Sequence, residues 1–269
     1  MSKREPVRRY AEQQYGSAGN LTARQLLHTR FSTSPLSWHR WVFDQLDIPP
    51  NAEILELGCG SGVLWLENRE RIPSGWRITL SDFSEGMLDA ARKNLGSDRF
   101  RYMVVDAQDI PFPDASLDTI IADHMLYHVP DLGRGLSEIR RVLRPGGRLY
   151  TATNGLAHMQ ELDELLGRVG LPTMESQRSS AMSSFDLENG AEALSAWFPQ
   201  VELRRRDDGL SVTEVEPIVD YILSSSDTLH TEEQLADVRR IVGKEIARGG
   251  AYHISKCAGM FIARKETLS

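Results

Sequence analysis

The sequence predicts an α/β fold built on a doubly wound, mostly parallel sheet, and three observations carry that prediction. From Asn51 onward, short apolar runs alternate with segments of helical periodicity, the pattern of βαβ units. The first run ends in a glycine-rich turn, Gly58-Cys59-Gly60-Ser61-Gly62, that leads straight into a helical pattern. The length of 269 residues accommodates one large domain with insertions, and 41% hydrophobic with 26% charged residues is ordinary for a globular chain.

Taken in order, the first fifty residues hold seven Lys or Arg against four Asp or Glu, a slightly positive arm on a chain whose formal charge is −7. Thr22 to Asp47 reads mostly as helix, broken near Pro35, with Trp38, Trp41, Val42 and Leu46 forming an apolar stripe. Pro49-Pro50 ends that stretch. Strands are expected at Glu53–Leu57, Arg77–Ser81, Phe100–Val105, Leu117–Ala122 and Arg148–Thr153. The helices between them are Gly62–Arg71, Ser84–Leu95 and Leu132–Leu143, the last stopped by Pro145-Gly146-Gly147. Beyond Thr153, helical patterns at Met159–Val169, Asn189–Phe198, Glu216–Ser224 and Glu232–Arg248 surround two apolar runs, Val201–Val212 and Ile254–Ala263. These two runs are expected to pair at the sheet edge. The organisation read from this is an arm or lid over 1–50, a ligand-binding core over 51–153, and a remainder over 154–269 with helical insertions.

Charge and cysteine usage exclude several function classes. With 38 acidic against 31 basic residues, nucleic acid is not expected as the main partner, because phosphate neutralisation by Lys and Arg supplies most non-specific affinity. Cys59 and Cys257 make no disulfide framework and point to a reducing compartment, the cytoplasm. No run approaches the roughly 18 apolar residues of a membrane span.

The segment Ile54-Leu55-Glu56-Leu57-Gly58-Cys59-Gly60-Ser61-Gly62 places a ligand-facing turn at the carboxyl edge of a parallel sheet, beside a helix N-terminus. A dinucleotide fingerprint needs its third glycine at Val63, and the extra glycine falls instead at Gly62. Glu56, two residues before the first glycine, favours a ligand bearing an ammonium or hydroxyl over bare phosphate. Asp82 follows Gly62 by twenty residues, at the end of the second strand, where a carboxylate can accept from both hydroxyls of a ribose.

This constellation resembles motif I of the class I S-adenosylmethionine (SAM)-dependent methyltransferases, acidic-x-Gly-x-Gly-x-Gly, and Leu143-Arg144-Pro145-Gly146-Gly147-Arg148-Leu149 is similar to the segment before their fifth strand. The runs His124-Met125-Leu126-Tyr127-His128-Val129-Pro130-Asp131 and Leu136–Leu143 resemble the UbiE-type small-molecule branch. The resemblance implies a Rossmann-like seven-stranded sheet whose last strand is antiparallel, with a helical cap, and SAM as cofactor. It implies cofactor contacts from Glu56, Gly58, Cys59, Gly60 and Asp82, with Phe83 and Met87 flanking the adenine. It further implies Asp106, Ala107 and Gln108 near the exocyclic amine, and Asp123 at the methionine end.

The sulfonium carries its own electrophile, so the protein must align a small-molecule acceptor and exclude water. His128 and His124 are the candidate bases, or alternatively cap and pack the turn after the fourth strand. Tyr15, Arg30, Trp41 and Tyr127 are candidate substrate residues, although Trp38 and Trp41 equally suit burial of their helix. No metal site is expected: no Glu stands beside His124, and no third His or Cys lies near it. Cys59 reads as a small buried filler. Two other function classes remain open, a SAM-binding module without turnover and an NAD-dependent reductase.

Overall fold

The computed structural model describes residues 26–173, 185–225 and 230–267. Its sheet has seven strands: β1 Glu53–Leu57, β2 Arg77–Asp82, β3 Phe100–Val104, β4 Leu117–Asp123, β5 Leu143–Asn154, β6 Gln200–Val212 and β7 Tyr252–Arg264. Their spatial order is β3-β2-β1-β4-β5-β7-β6. Pairs β1/β2, β1/β4, β2/β3 and β4/β5 are parallel, whereas β5/β7 is antiparallel, from Arg148 opposite Arg264 to Asn154 opposite Ala258. The expected mostly parallel, seven-stranded sheet with an antiparallel last strand is therefore present. Chain order reverses between β1 and β4, the switch point where open α/β sheets bind ligands beyond the carboxyl ends of their strands.

Besides helical residues 26–31, eight helices lie within the described residues: α1 Trp38–Asp44, α2 Val63–Glu67, α3 Glu85–Leu95, α4 Leu132–Val142, α5 Gln160–Arg168, α6 Gly190–Ser195, α7 Glu216–Ser225 and α8 Glu232–Gly249. The helix expected over Gly62–Arg71 stops at Glu67 and resumes as a 3₁₀ turn, Arg69–Arg71. The interruption falls at Asn68, whose buried amide donates back to the Leu64 and His39 carbonyls. Fifth-strand geometry also begins earlier than expected, at Leu143 rather than Arg148. Leu143 pairs with Leu117 before the register shifts ahead of Thr119, so Pro145-Gly146-Gly147 lies within an irregular strand end.

The chain divides into two compact units. The first takes Met1–Pro35, Ala157–Ala181 and Arg206–Cys257, and its core gathers Leu27, Phe31, Leu162, Leu165, Val219, Ile222, Val238 and Val242. Within it Asp208 is buried between Lys256, whose Nζ donates at 2.5 Å, and Arg206 at 3.3 Å. The second takes Leu36–Leu156, Met182–Arg205 and Ala258–Ser269, and holds β1–β5. Its core packs Ile54, Leu64, Trp65, Ile78, Leu80, Leu88, Ile121 and Tyr150 with Val42 and Phe43 of α1. The α1 stripe read from the sequence is thus a packing face, with Trp38 and Trp41 partly buried beside the same core.

Candidate functional site

The site forms where β1, β2 and β4 end. β1 is buried along four of its five residues and stops at Gly58, where φ of +68° turns the chain. A Cβ on Gly58 would sit 2.7 Å from Cβ of Met125, so the loop after β4 approaches too closely for any side chain there. Gly60 differs. Its φ is +53°, but a Cβ would meet no atom within 4 Å, so this glycine leaves open space beside the turn. Cys59 N–H donates to Ser81 O at 2.8 Å and Ser81 Oγ donates to Glu56 O at 2.7 Å, which ties the turn to β2.

Asp82 completes that tie. One carboxylate oxygen accepts the Gly60 N–H at 3.0 Å, and the other accepts the Ser84 N–H at 2.8 Å. The backbone N–H of Phe83 also bonds this carboxylate. Burial pushes the Asp82 carboxyl up despite these bonds. Phe83 follows and is 47% exposed, a large ring standing in solvent beside the carboxylate. Met87, in the first turn of α3, receives the Ser84 Oγ cap on its N–H at 3.4 Å.

Two more strand ends close the site. Val105 N–H donates to Asp82 O at 3.2 Å, setting the Asp106–Gln108 loop beside β2. In that loop Asp106 Oδ1 accepts from the Gln108 N–H at 2.9 Å and from its Nε2 at 3.0 Å, while Ala107 is buried. At the end of β4, Asp123 accepts the Trp38 indole N–H, 3.1 Å from each carboxylate oxygen. His124 takes a left-handed φ of +53° with its N–H on Ala152 O. Its ring lies 4.9 Å from Trp38 and 6.3 Å from Tyr127, and Tyr127 lies 4.5 Å from His128. Trp41 extends this series, 5.2 Å from Trp38.

Glu56 is the electrostatic centre of the arrangement. It is buried, accepts the Trp65 indole N–H at 2.5 Å, and its pKa is pushed up to about 8, mainly by burial and further by Asp123 and Asp82. Among the described residues no Lys or Arg pairs with Glu56, Asp82 or Asp123. Burial pushes the Cys59 thiol far up, which makes it a filler and not a nucleophile. Burial, and then the neighbouring His124, lowers His128 to about 4.

Glu56, Gly58, Cys59, Gly60, Asp82 and Asp123 thus converge, with Phe83, Met87 and the Asp106–Gln108 loop alongside. Arg30 belongs to the other unit, where it pairs with Glu214 at 2.5 Å. Tyr15 lies outside the described residues. The donors to Glu56 and Asp123, Trp65 and Trp38, escaped the sequence reading. A buried acid on a central strand signals that some donor must exist, but periodicity does not say which side chain supplies it. No group that could hold a metal ion occurs among the described residues.

Residues 55–151 match a family model described as a methyltransferase domain. A demethylmenaquinone methyltransferase of Mycolicibacterium gilvum is 33% identical over 183 residues, 66% of this chain and 75% of that protein. The chain belongs to the class I SAM-dependent methyltransferase family. Over the first relatives the match spans about half of their length, 46–61%. A malonyl-[acyl-carrier protein] O-methyltransferase of Serratia marcescens is 35% identical over 43% of each chain. The fold is shared with a solved Haemonchus contortus phosphoethanolamine N-methyltransferase 2 in complex with SAM, at a TM-score of 0.60 and 18% identity over 97% of this chain and 60% of that one. As a family member the chain carries the acidic-x-Gly-x-Gly-x-Gly turn in the φ-positive form described above. No described helix is long and apolar enough to cross a membrane.

Proposed function

We propose that the protein binds SAM over the β1–α2 turn and transfers its methyl group to a small-molecule acceptor by in-line displacement. The observation that carries this is Asp82 bridging the Gly60 and Ser84 amides beside an exposed Phe83 and an open Gly60. The residues present fit the cofactor. Asp82 has the acceptors for a ribose diol, Phe83 and Met87 supply apolar surface for a purine, and the Asp106–Gln108 loop stands next to them. Asp82 and Asp123, without a described basic partner, and Glu56, which can release its proton to a nearby cation, suit a ligand carrying sulfonium and ammonium charge.

When bound, the cofactor supplies an activated methyl on a positive sulfur. The chain's own residues align the acceptor and keep water out. His124 and His128, with Tyr127, are proposed to face the acceptor. At a pKa of about 4, His128 is neutral at physiological pH. A weak neutral base suffices to take a proton from a hydroxyl or amine, because such a nucleophile becomes strongly acidic as it gains the methyl. The relatives include methyltransferases named for carbon, oxygen and nitrogen acceptors, so the shared core leaves the acceptor atom open.

Titration calorimetry with S-adenosylhomocysteine, the demethylated product, tests binding. Saturable binding is expected, and its absence in folded protein sinks the proposal. Incubation with methyl-labelled SAM and a metabolite extract tests transfer, since a module without turnover would hand on no label. NADH should give no heat.

A further inference from the structure

We infer that Trp38 is a positioning residue for the cofactor's methionine end, holding Asp123 and His124 in place through its indole; this rests on the SAM reading above. Trp38 opens α1, directly after the N-cap Ser37, whose hydroxyl accepts the Arg40 N–H at 3.2 Å. The helix is anchored by Val42 and Phe43 in the core of its unit, so the indole projects from a fixed base. Its N–H lies 3.1 Å from both oxygens of Asp123, a residue 85 positions away, and so fixes the rotation of that carboxylate. The same ring lies tilted against His124, 4.9 Å between centroids and 45° between planes.

Asp123 needs such a donor. It sits beside Glu56, whose proton it helps retain, and no described basic side chain pairs with it. An Arg or Lys there would cancel the negative charge that an ammonium seeks. A carbonyl would repel the carboxylate, and a water molecule would leave it free to rotate. An indole N–H donates without adding formal charge and does not titrate, so it orients Asp123 while leaving its charge for the ligand. The tilted ring also packs against His124, which is held in the left-handed conformation that non-glycine residues rarely adopt. Trp38 therefore sets both side chains that β4 presents at its end, and it does so from outside the sheet.

The test is a double-mutant cycle with a spectroscopic readout. Trp38→Phe keeps a ring and loses the donor. With Asp123 no longer held toward the ligand, the charge-assisted bond it would offer the ligand weakens, and S-adenosylhomocysteine affinity should fall about tenfold. Asp123→Ala should fall by a similar factor, and the double variant should be no weaker than Asp123→Ala alone to within about twofold. A Trp38 that only packed its helix would give multiplicative losses, and that result overturns the inference. In ligand-free protein the indole ¹H–¹⁵N resonance missing in Trp38→Phe should move in Asp123→Ala, and an unmoved resonance overturns it as well. Melting curves of all three variants establish that they are folded. If the wild type fails to bind S-adenosylhomocysteine while that resonance does move, the SAM reading is what fails, although the Trp38–Asp123 bond stands.

Discussion

The two ends of the parallel strands treat carboxylates in opposite ways. At the amino end three acids have an arginine: Glu53 pairs with Arg77, Asp118 with Arg144 at 2.6 Å, and Asp47 with Arg148 at 2.6 Å. At the carboxyl end Glu56, Asp82 and Asp123 are met by indole and backbone N–H groups, which stabilise without neutralising. The first end is built to be stable as it stands. The second holds Asp82 and Asp123 beside a Glu56 whose proton their charges help retain, the arrangement proposed above to receive a cation.

The comparison breaks most visibly with pH. Glu56 titrates near 8 in the folded chain and near 4.5 when exposed, so between those values the folded state holds the extra proton. Glu56's contribution to stability is then greatest below about 4.5 and declines as pH rises through about 8. Chemical denaturation at pH 5 and pH 7.5 should show Glu56→Gln removing roughly 3 kcal/mol of that decline. The same titration predicts proton release when a cationic ligand binds near neutral pH, measurable as a buffer-dependent binding enthalpy. Without release, Glu56 is not coupled to the ligand.

Next in size is Asp82→Ala. Losing the acceptors of a diol should weaken S-adenosylhomocysteine by about a hundredfold, from two bonds to a charged group. Equal affinity would remove Asp82 from the site. Gly60→Ala sharpens the contrast further, because the added methyl meets nothing in the protein. Its left-handed backbone should cost about 1 kcal/mol of stability, while ligand affinity drops about tenfold because the methyl enters the ligand's space. Arg144→Ala, at the other end, should lower stability by under about 1 kcal/mol, less so in high salt, and leave affinity unchanged. An affinity change there would mean that the two ends are not independent.

Most of the sheet was legible because β1 to β4 are apolar runs punctuated by glycine, acid and helix caps, signals that act over a few residues. The positions proposed for the site were legible for the same reason, since Gly58, Gly60, Asp82, Asp106 and Asp123 each lie at or just beyond a strand end. Less visible was the break at Asn68, where a side chain turns back on its own helix and outcompetes a helical pattern. The early start of β5 was hidden too, because strand pairing at Leu143 overrides the local turn signal of Pro145-Gly146-Gly147.

By itself the sequence determined which groups stand at the carboxyl edge, since order along the chain dictates which residue ends each strand once the alternation of apolar runs is set. Only tertiary structure decided what satisfies them: Trp65 on Glu56, Gly60 on Asp82, and Trp38, 85 residues distant, on Asp123. The reason is physical. Periodicity and capping are local, whereas the hydrogen-bond partner of a half-buried carboxylate is chosen by whichever donor the packed core delivers to it.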